Sequence, residues 1–311
     1  KTSLKPLEQV LLPKELPLYQ MRSAFRNPIS CYCEKQWGFS FPPKQEKKSV
    51  SPFGWDALAR FSIRESFLFH PLEEALALAE NRRHLPKGGR GICAQEELAE
   101  NHSKLWKYLT EEGIGMGDVF SVELTPRVTN PTQFAPNLLL PPPLPVIWGG
   151  SMSSIVGKLP HVSQKGVIFP RKGDWKTMWK IWPSFLVYCG IVQHFQMPWK
   201  QQIFFTETAS TKCSFFEEFS THLGPTAAFS SLVIEQICPL LPDWVPFFIQ
   251  DDMIALEEAI QETIRPFSNT GEERWWRWIL DAEFSVQSWG ELFGPCARSL
   301  GESLYKAWGH R

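Results

Sequence analysis

The chain has no run of apolar residues long enough to span a bilayer as a helix. Its longest, Ile181 to Phe195, is broken by Pro183, Ser184, Gln193 and His194, and a spanning helix needs roughly 20 predominantly apolar residues. A transmembrane segment is therefore not expected. Paired metal-ligand spacing is also missing. Cys31 and Cys33 are separated by one residue, whereas zinc knuckles separate theirs by about two to four, and no matching Cys/His pair follows. No structural metal and no cofactor are expected.

The motifs of common enzymes are equally scarce. No G-x-S-x-G elbow occurs, and the Gly-rich run RRHLPKGGRG is not a Walker loop, because Lys87 precedes its glycines and no Lys-Ser or Lys-Thr follows. It does not have the G-x-G-x-x-G spacing of a dinucleotide fold either. The cysteines, Cys31, Cys33, Cys93, Cys189, Cys213, Cys238 and Cys296, are odd in number and irregular in spacing. That usage suits reduced thiols and a cytoplasmic setting. The opening residues carry no signal-peptide pattern.

Aromatic side chains and proline are plentiful, with 14 Trp, 23 Phe and 26 Pro. Hydrophobic residues make up 43% of the chain and charged residues 21%, too apolar for disorder and too charged for a channel. The net charge of −1 conceals an asymmetry. Between Lys158 and Lys212 eight bases (Lys158, Lys165, Arg171, Lys172, Lys176, Lys180, Lys200, Lys212) face two acids (Asp174, Glu207), a balance of +6. From Cys213 to Arg311 fifteen acids face six bases, a balance of −9. A basic band attracts polyanions or anionic surfaces, and an acidic region suits a basic partner.

Residues 1–50 read as an extended Pro/Lys-rich arm with short strands at Ile29–Cys33 and Trp37–Phe41. Residues 51–145 read as a mixed α/β region: a short helix at Trp55–Phe61, helices over Pro71–Arg83 and Ala94–Glu112, a half-buried strand at Asp118–Thr125, and a Pro-rich connection over Asn130–Pro145. In the helix from Pro71, Leu72, Ala75, Leu76 and Ala79 share one face. The remainder, 146–311, reads as mainly helical with a basic start and an acidic end. Strands are expected at Pro145–Trp148, Gly166–Phe169 and Ile203–Thr206. Helices are expected at Ser214–Leu223, Thr226–Leu241 and Asp251–Ile264, with a last one opened by the capping box of Thr270 and Glu273. Pro183 is expected to interrupt a helix begun at Asp174. The resulting fold class is α+β, with mixed strands and helices first and a helix-rich C-terminal half.

Two constellations can carry binding chemistry. On a helix Trp175, Trp179 and Trp182 share a face, and Lys176 and Lys180 form the neighbouring stripe. With Lys172 beside them, the aromatic planes suit stacking on unpaired bases and the lysines suit phosphates. An interfacial membrane helix has the same pattern, and so does a core helix whose lysines face solvent. The second constellation is Arg82, Arg83, Lys87 and Arg90 around Gly88, Gly89 and Gly91, a basic loop with free backbone donors. A helix C-terminus with favourable cations is its plainer explanation.

For acid/base chemistry His70 with Glu73 and Glu74, and Asp251 and Asp252 with Glu257 and Glu258, are the local clusters. Both fall at helix starts, where acids are favoured for structural reasons. The sequence thus points to a non-enzymatic binding subunit of a larger assembly. It would contact nucleic acid through the Lys/Trp surface and a partner protein through its acidic helices. One alternative is an enzyme with an aromatic-lined pocket, marked by His70, His102 or His161 beside a carboxylate. The other is a peripheral membrane protein.

Overall fold

The structure, a computed structural model, describes residues 12–26, 31, 34, 35, 57–82, 84–148, 150–170, 175–205, 211, 212, 225–238 and 241. For 175–180 it describes the backbone alone. The described residues form an α+β fold with six helices and a nine-stranded mixed sheet. In chain order these are β1 (Glu15–Pro17), α1 (Leu18–Arg26), α2 (Ala57–Ser66), α3 (Leu72–Asn81), α4 (Gly89–Glu111), β2 (Phe120–Leu124), β3 (Thr132–Ala135), β4 (Leu138–Leu140) and β5 (Leu144–Trp148). There follow β6 (Ser151–Ser163), β7 (Gly166–Phe169), α5 (Trp175–His194), β8 (Gln202–Phe205), β9 (Thr211–Lys212) and α6 (Pro225–Gln236).

The sheet runs β3-β4-β2-β6-β7-β8-β9, and β1 and β5 also pair with β6. The thirteen-residue β6 is therefore central. Its first half pairs with β5 and, in parallel, with β1, and its second half pairs with β2 and β7. The halves meet at Gly157, whose φ of +125° favours glycine and whose missing Cβ leaves room for Leu18 of α1.

Alternation along β7 and β8 divides the core in two. Val167, Ile203 and Phe205 face a large cluster with α1, α5 and α6, while Ile168 and Phe204 face a smaller one with α2, α3 and α4. Successive strand residues point to opposite faces, so the helices cover the sheet from both sides.

Several expectations hold and several are corrected. The strands at β2, β5, β7 and β8 and the helix α3 lie where the sequence places them, and Phe120, Val122 and Leu124 are buried beside exposed Glu123. The extended-arm reading fails over 12–26: Leu12, Leu16, Leu18, Met21, Ala24 and Phe25 are core residues on β1 and α1. The Pro-rich connection carries strands β3 and β4 and leads into β5, and strands on either side of residue 145 share the sheet. Helix α4 starts at Gly89, five residues before the expected Ala94, so the glycines lie partly in its first turn.

Pro183 does not interrupt the helix: α5 runs unbroken from Trp175 to His194. An interior proline costs about 3 kcal/mol. Ile181, Trp182, Phe185, Leu186, Val187, Tyr188, Ile191 and Val192 are all buried, and at about 1.5–3 kcal/mol for each large side chain their burial outweighs that cost. Where α5 crosses α6, Gly190 is required, because a Cβ there would come within 2.5 Å of the Phe229 ring. The expected strands Ile29–Cys33 and Trp37–Phe41, the helices Ser214–Leu223 and Asp251–Ile264 and the final helix lie wholly or largely outside the described residues. Among the described residues no helix is long and apolar enough to cross a membrane.

Candidate nucleic-acid interface

The Lys/Trp constellation falls in the opening turns of α5. Trp175, Lys176, Trp179 and Lys180 occupy consecutive helical turns by backbone, and Lys172 lies outside the described residues. Trp182, grouped with them on sequence spacing, is a core residue instead. It is 1% exposed and its ring lies 5.9 Å from that of Phe185. The aromatic row continues inward, with Phe185 stacked on Tyr188 at 6.4 Å and Tyr188 on Trp199 at 6.1 Å. Tyr188 Oη lies 2.8 Å from the Lys200 carbonyl and 3.1 Å from that of Ser163, so its one proton serves the loop after α5 or the end of β6. Burial pushes the phenol far above its ordinary pKa.

The basic loop joins α3 to α4. Arg82 ends α3 with its backbone N–H donating to the Leu78 carbonyl, Lys87 and Arg90 are exposed, and Arg83 lies outside the described residues. Gly88 has a φ of +69° and precedes the first turn of α4. Helices α3 and α4 belong to the core opposite that of α5. The two basic constellations thus sit on elements from opposite faces of the sheet.

Lys165, part of the basic band, has a structural role. Its Nζ donates to the Glu112 carbonyl at 2.8 Å, placing a cation at the C-terminus of α4, where the helix dipole favours it.

Among the described residues no histidine forms an acid/base centre with a buried carboxylate. His70 Nδ1 lies 3.2 Å from Glu74 Oε2 at an exposed helix start. His102 packs edge-on against Phe67, with ring centroids 5.0 Å apart. Burial pushes its pKa down, partly opposed by a backbone hydrogen bond at His70. His161 is buried and lies 5.2 Å from the Phe69 ring. Its pKa is pushed down to about 4, first by burial, then by the charges of Lys158 and Arg22. The charges that act on it are cations.

Sequence reading missed the group around His161. Opposite Ser121 of β2, β6 carries an extra residue between Leu159 and Val162, and His161 takes up the irregularity with a φ of +55°. A bulge of this kind redirects a side chain. From α1, Arg22 Nε donates to Ser184 Oγ of α5 at 2.7 Å, and its Nη2 donates to the Lys158 carbonyl at 3.0 Å. One guanidinium thereby ties three elements. The helical stripe Leu18, Met21 and Phe25 beside it was the available signal.

The family model described as RecC C-terminal domain matches residues 13–259, most of the chain. The chain belongs to the RecC C-terminal domain family. RecC is a subunit of a multi-subunit DNA-processing complex, and the RecC match makes this chain a nucleic-acid-related complex subunit. The match begins at the first residues of the described core and spans every described strand and helix of the RecC-type domain. No curated protein matches the chain.

Proposed function

We propose that the chain is a non-enzymatic, DNA-contacting subunit that binds nucleic acid through the N-terminal turns of α5. The observation that carries this reading is the RecC C-terminal domain match over 13–259. Lys172, Trp175, Lys176, Trp179 and Lys180 are the contact residues, with lysines neutralising phosphates and tryptophans stacking on bases. The buried half of α5, from Ile181 onward, supports this role by anchoring the helix rigidly in the core. The Arg82, Arg83, Lys87 and Arg90 loop is a separate, weaker contact, since it belongs to the opposite helical layer. The acidic region after Cys213 binds the partner protein.

The test is a titration of labelled single-stranded and duplex DNA at several salt concentrations. Binding should weaken with salt and weaken further in Lys176→Ala/Lys180→Ala. Absence of binding at low salt would remove the reading. Trp179→Ala separates stacking from charge, and should weaken single-strand binding by about 1–3 kcal/mol.

A further inference from the structure

Register sorts the residues of β1, β5 and β6 onto two faces. Leu144 opposite Ile155, Val146 opposite Ser153, and Leu16 beside Ile155 are buried on the side of α1, α5 and α6. The alternate row, Pro17, Pro145, Ile147, Met152, Ser154 and Val156, lies on the opposite face. Helices α2, α3 and α4 sit on that face too, but their core takes in Ile168 of β7 and Phe204 of β8 and no residue of β1, β5 or the first half of β6. Ile147 is 52% exposed and Met152, its cross-strand partner, 68%. A solvated antiparallel face ordinarily carries polar residues. This row carries no charge and only one hydroxyl, Ser154.

The chain supplies a segment of matching chemistry. Trp275, Ile279, Ala282, Val286, Trp289 and Phe293, outside the described residues, step by three or four positions, the spacing that puts them on one side of a helix. Asp281 and Glu291 fall on the other side. A stripe this apolar needs cover.

The path also fits. Strand β5 pairs with β6 alone, and helix α6 lies along its other edge, where Ser230 Oγ accepts from the Ile147 N–H at 3.2 Å. The described residues end soon after α6, at Leu241, so the chain departs beside the strand that bears Ile147. The 33 residues between Leu241 and Trp275 can round that edge, at ~3.3 Å for each extended residue. Tethering gives the segment an effective concentration on the order of mM, above that of a second copy in dilute solution.

We propose that residues 275–293 dock by this stripe on the β1–β5–β6 face, beside α2, α3 and α4, and complete the second helical layer of the sheet. Asp281 and Glu291 then face outward, open to a partner. This docking is independent of the DNA-contact reading.

Peroxide labelling of the intact chain, read by peptide mass mapping, tests it. With the face covered, Met152 should be oxidised several-fold more slowly than in Val286→Asp/Trp289→Asp, where two charges enter the stripe. Met21, a core residue, reports the fold itself and should react equally slowly in both. Ile147→Lys is the reciprocal variant: it charges an exposed strand position and should speed amide hydrogen exchange over 275–293 several-fold. It decides the matter should the double variant expose Met21.

Equal Met152 rates in parent and double variant, with Met21 protected in both, would overturn the docking. So would exchange over 275–293 that Ile147→Lys leaves unchanged. Protection of Met152 that grows with protein concentration would give the face to a second copy and overturn it too. None of these variants touches Lys176 or Lys180, so oligonucleotide binding, and with it the proposed function, is judged separately.

Discussion

Arg22 Nε and Ser184 Oγ meet at 2.7 Å across 162 positions of sequence. This contact joins α1, in a segment that reads as an arm, to the middle of α5, and it fixes the guanidinium beside the central strand. Ser184→Ala should leave a charged donor short of its acceptor and cost about 1–2 kcal/mol. Urea denaturation should show a lower midpoint at unchanged slope. A change within about 0.5 kcal/mol, the range of ordinary surface substitutions, would mean that water replaces the hydroxyl.

Stability should depend on pH through His161. Its folded pKa of about 4 lies below the ordinary value of 6.5, so the unfolded chain binds the proton first. The contribution is complete above pH 6.5 and is lost as pH falls from there toward 4. Over that window the loss is on the order of 3 kcal/mol. Arg22, Lys158 and the Phe69 ring are the described groups that act on it. In His161→Asn the unfolding free energy should fall less steeply over the same window. Parallel pH profiles for the two proteins would contradict the assignment.

Much of this architecture is legible in the residues. Phe120, Val122 and Leu124 alternate cleanly, and α3 carries its apolar stripe and its N-terminal acids, so both elements can be read directly. The central strand β6 cannot. Its sequence SMSSIVGKLPHVS mixes serine, glycine and proline with few apolar residues, and it is a strand because neighbours pair along both sides. Pro183 misleads for the converse reason: local preference argues for a break, and the buried face of α5 outweighs it. The Arg22 contacts are least legible, because Arg22, Ser184 and the Lys158 carbonyl meet only where α1 and α5 pack beside the central strand. Of the Lys/Trp constellation, spacing correctly puts Trp175 to Lys180 on one helix but cannot show that Trp182 turns inward.

Packing of α5 on α6 should be intolerant of one added methyl at Gly190. Gly190→Ala places a Cβ into the buried Phe229 ring and should cost about 1–3 kcal/mol, net of any gain in helix preference. Pairing it with Phe229→Leu should recover part of the loss. Equal stability of the single variant and the parent would show that the crossing relaxes freely.

The Tyr188 hydroxyl should matter to folding more than to binding. Tyr188→Phe keeps the ring between Phe185 and Trp199 but removes the hydroxyl proton offered to the Ser163 and Lys200 carbonyls. A loss of about 1–2 kcal/mol in unfolding free energy is expected, with DNA affinity unchanged once folding is corrected for. A selective loss of DNA affinity at full stability would instead give this residue a place in the interface.

The central claim is that α5 contacts nucleic-acid phosphates, and the salt dependence of binding to a single strand tests it most directly. Each phosphate neutralised contributes about 0.7 to the slope of log affinity against log salt. Lys176→Ala/Lys180→Ala should therefore flatten the slope by roughly 1.4 and weaken binding at low salt. A slope and affinity identical to those of the parent would contradict the assignment of the interface to this helix.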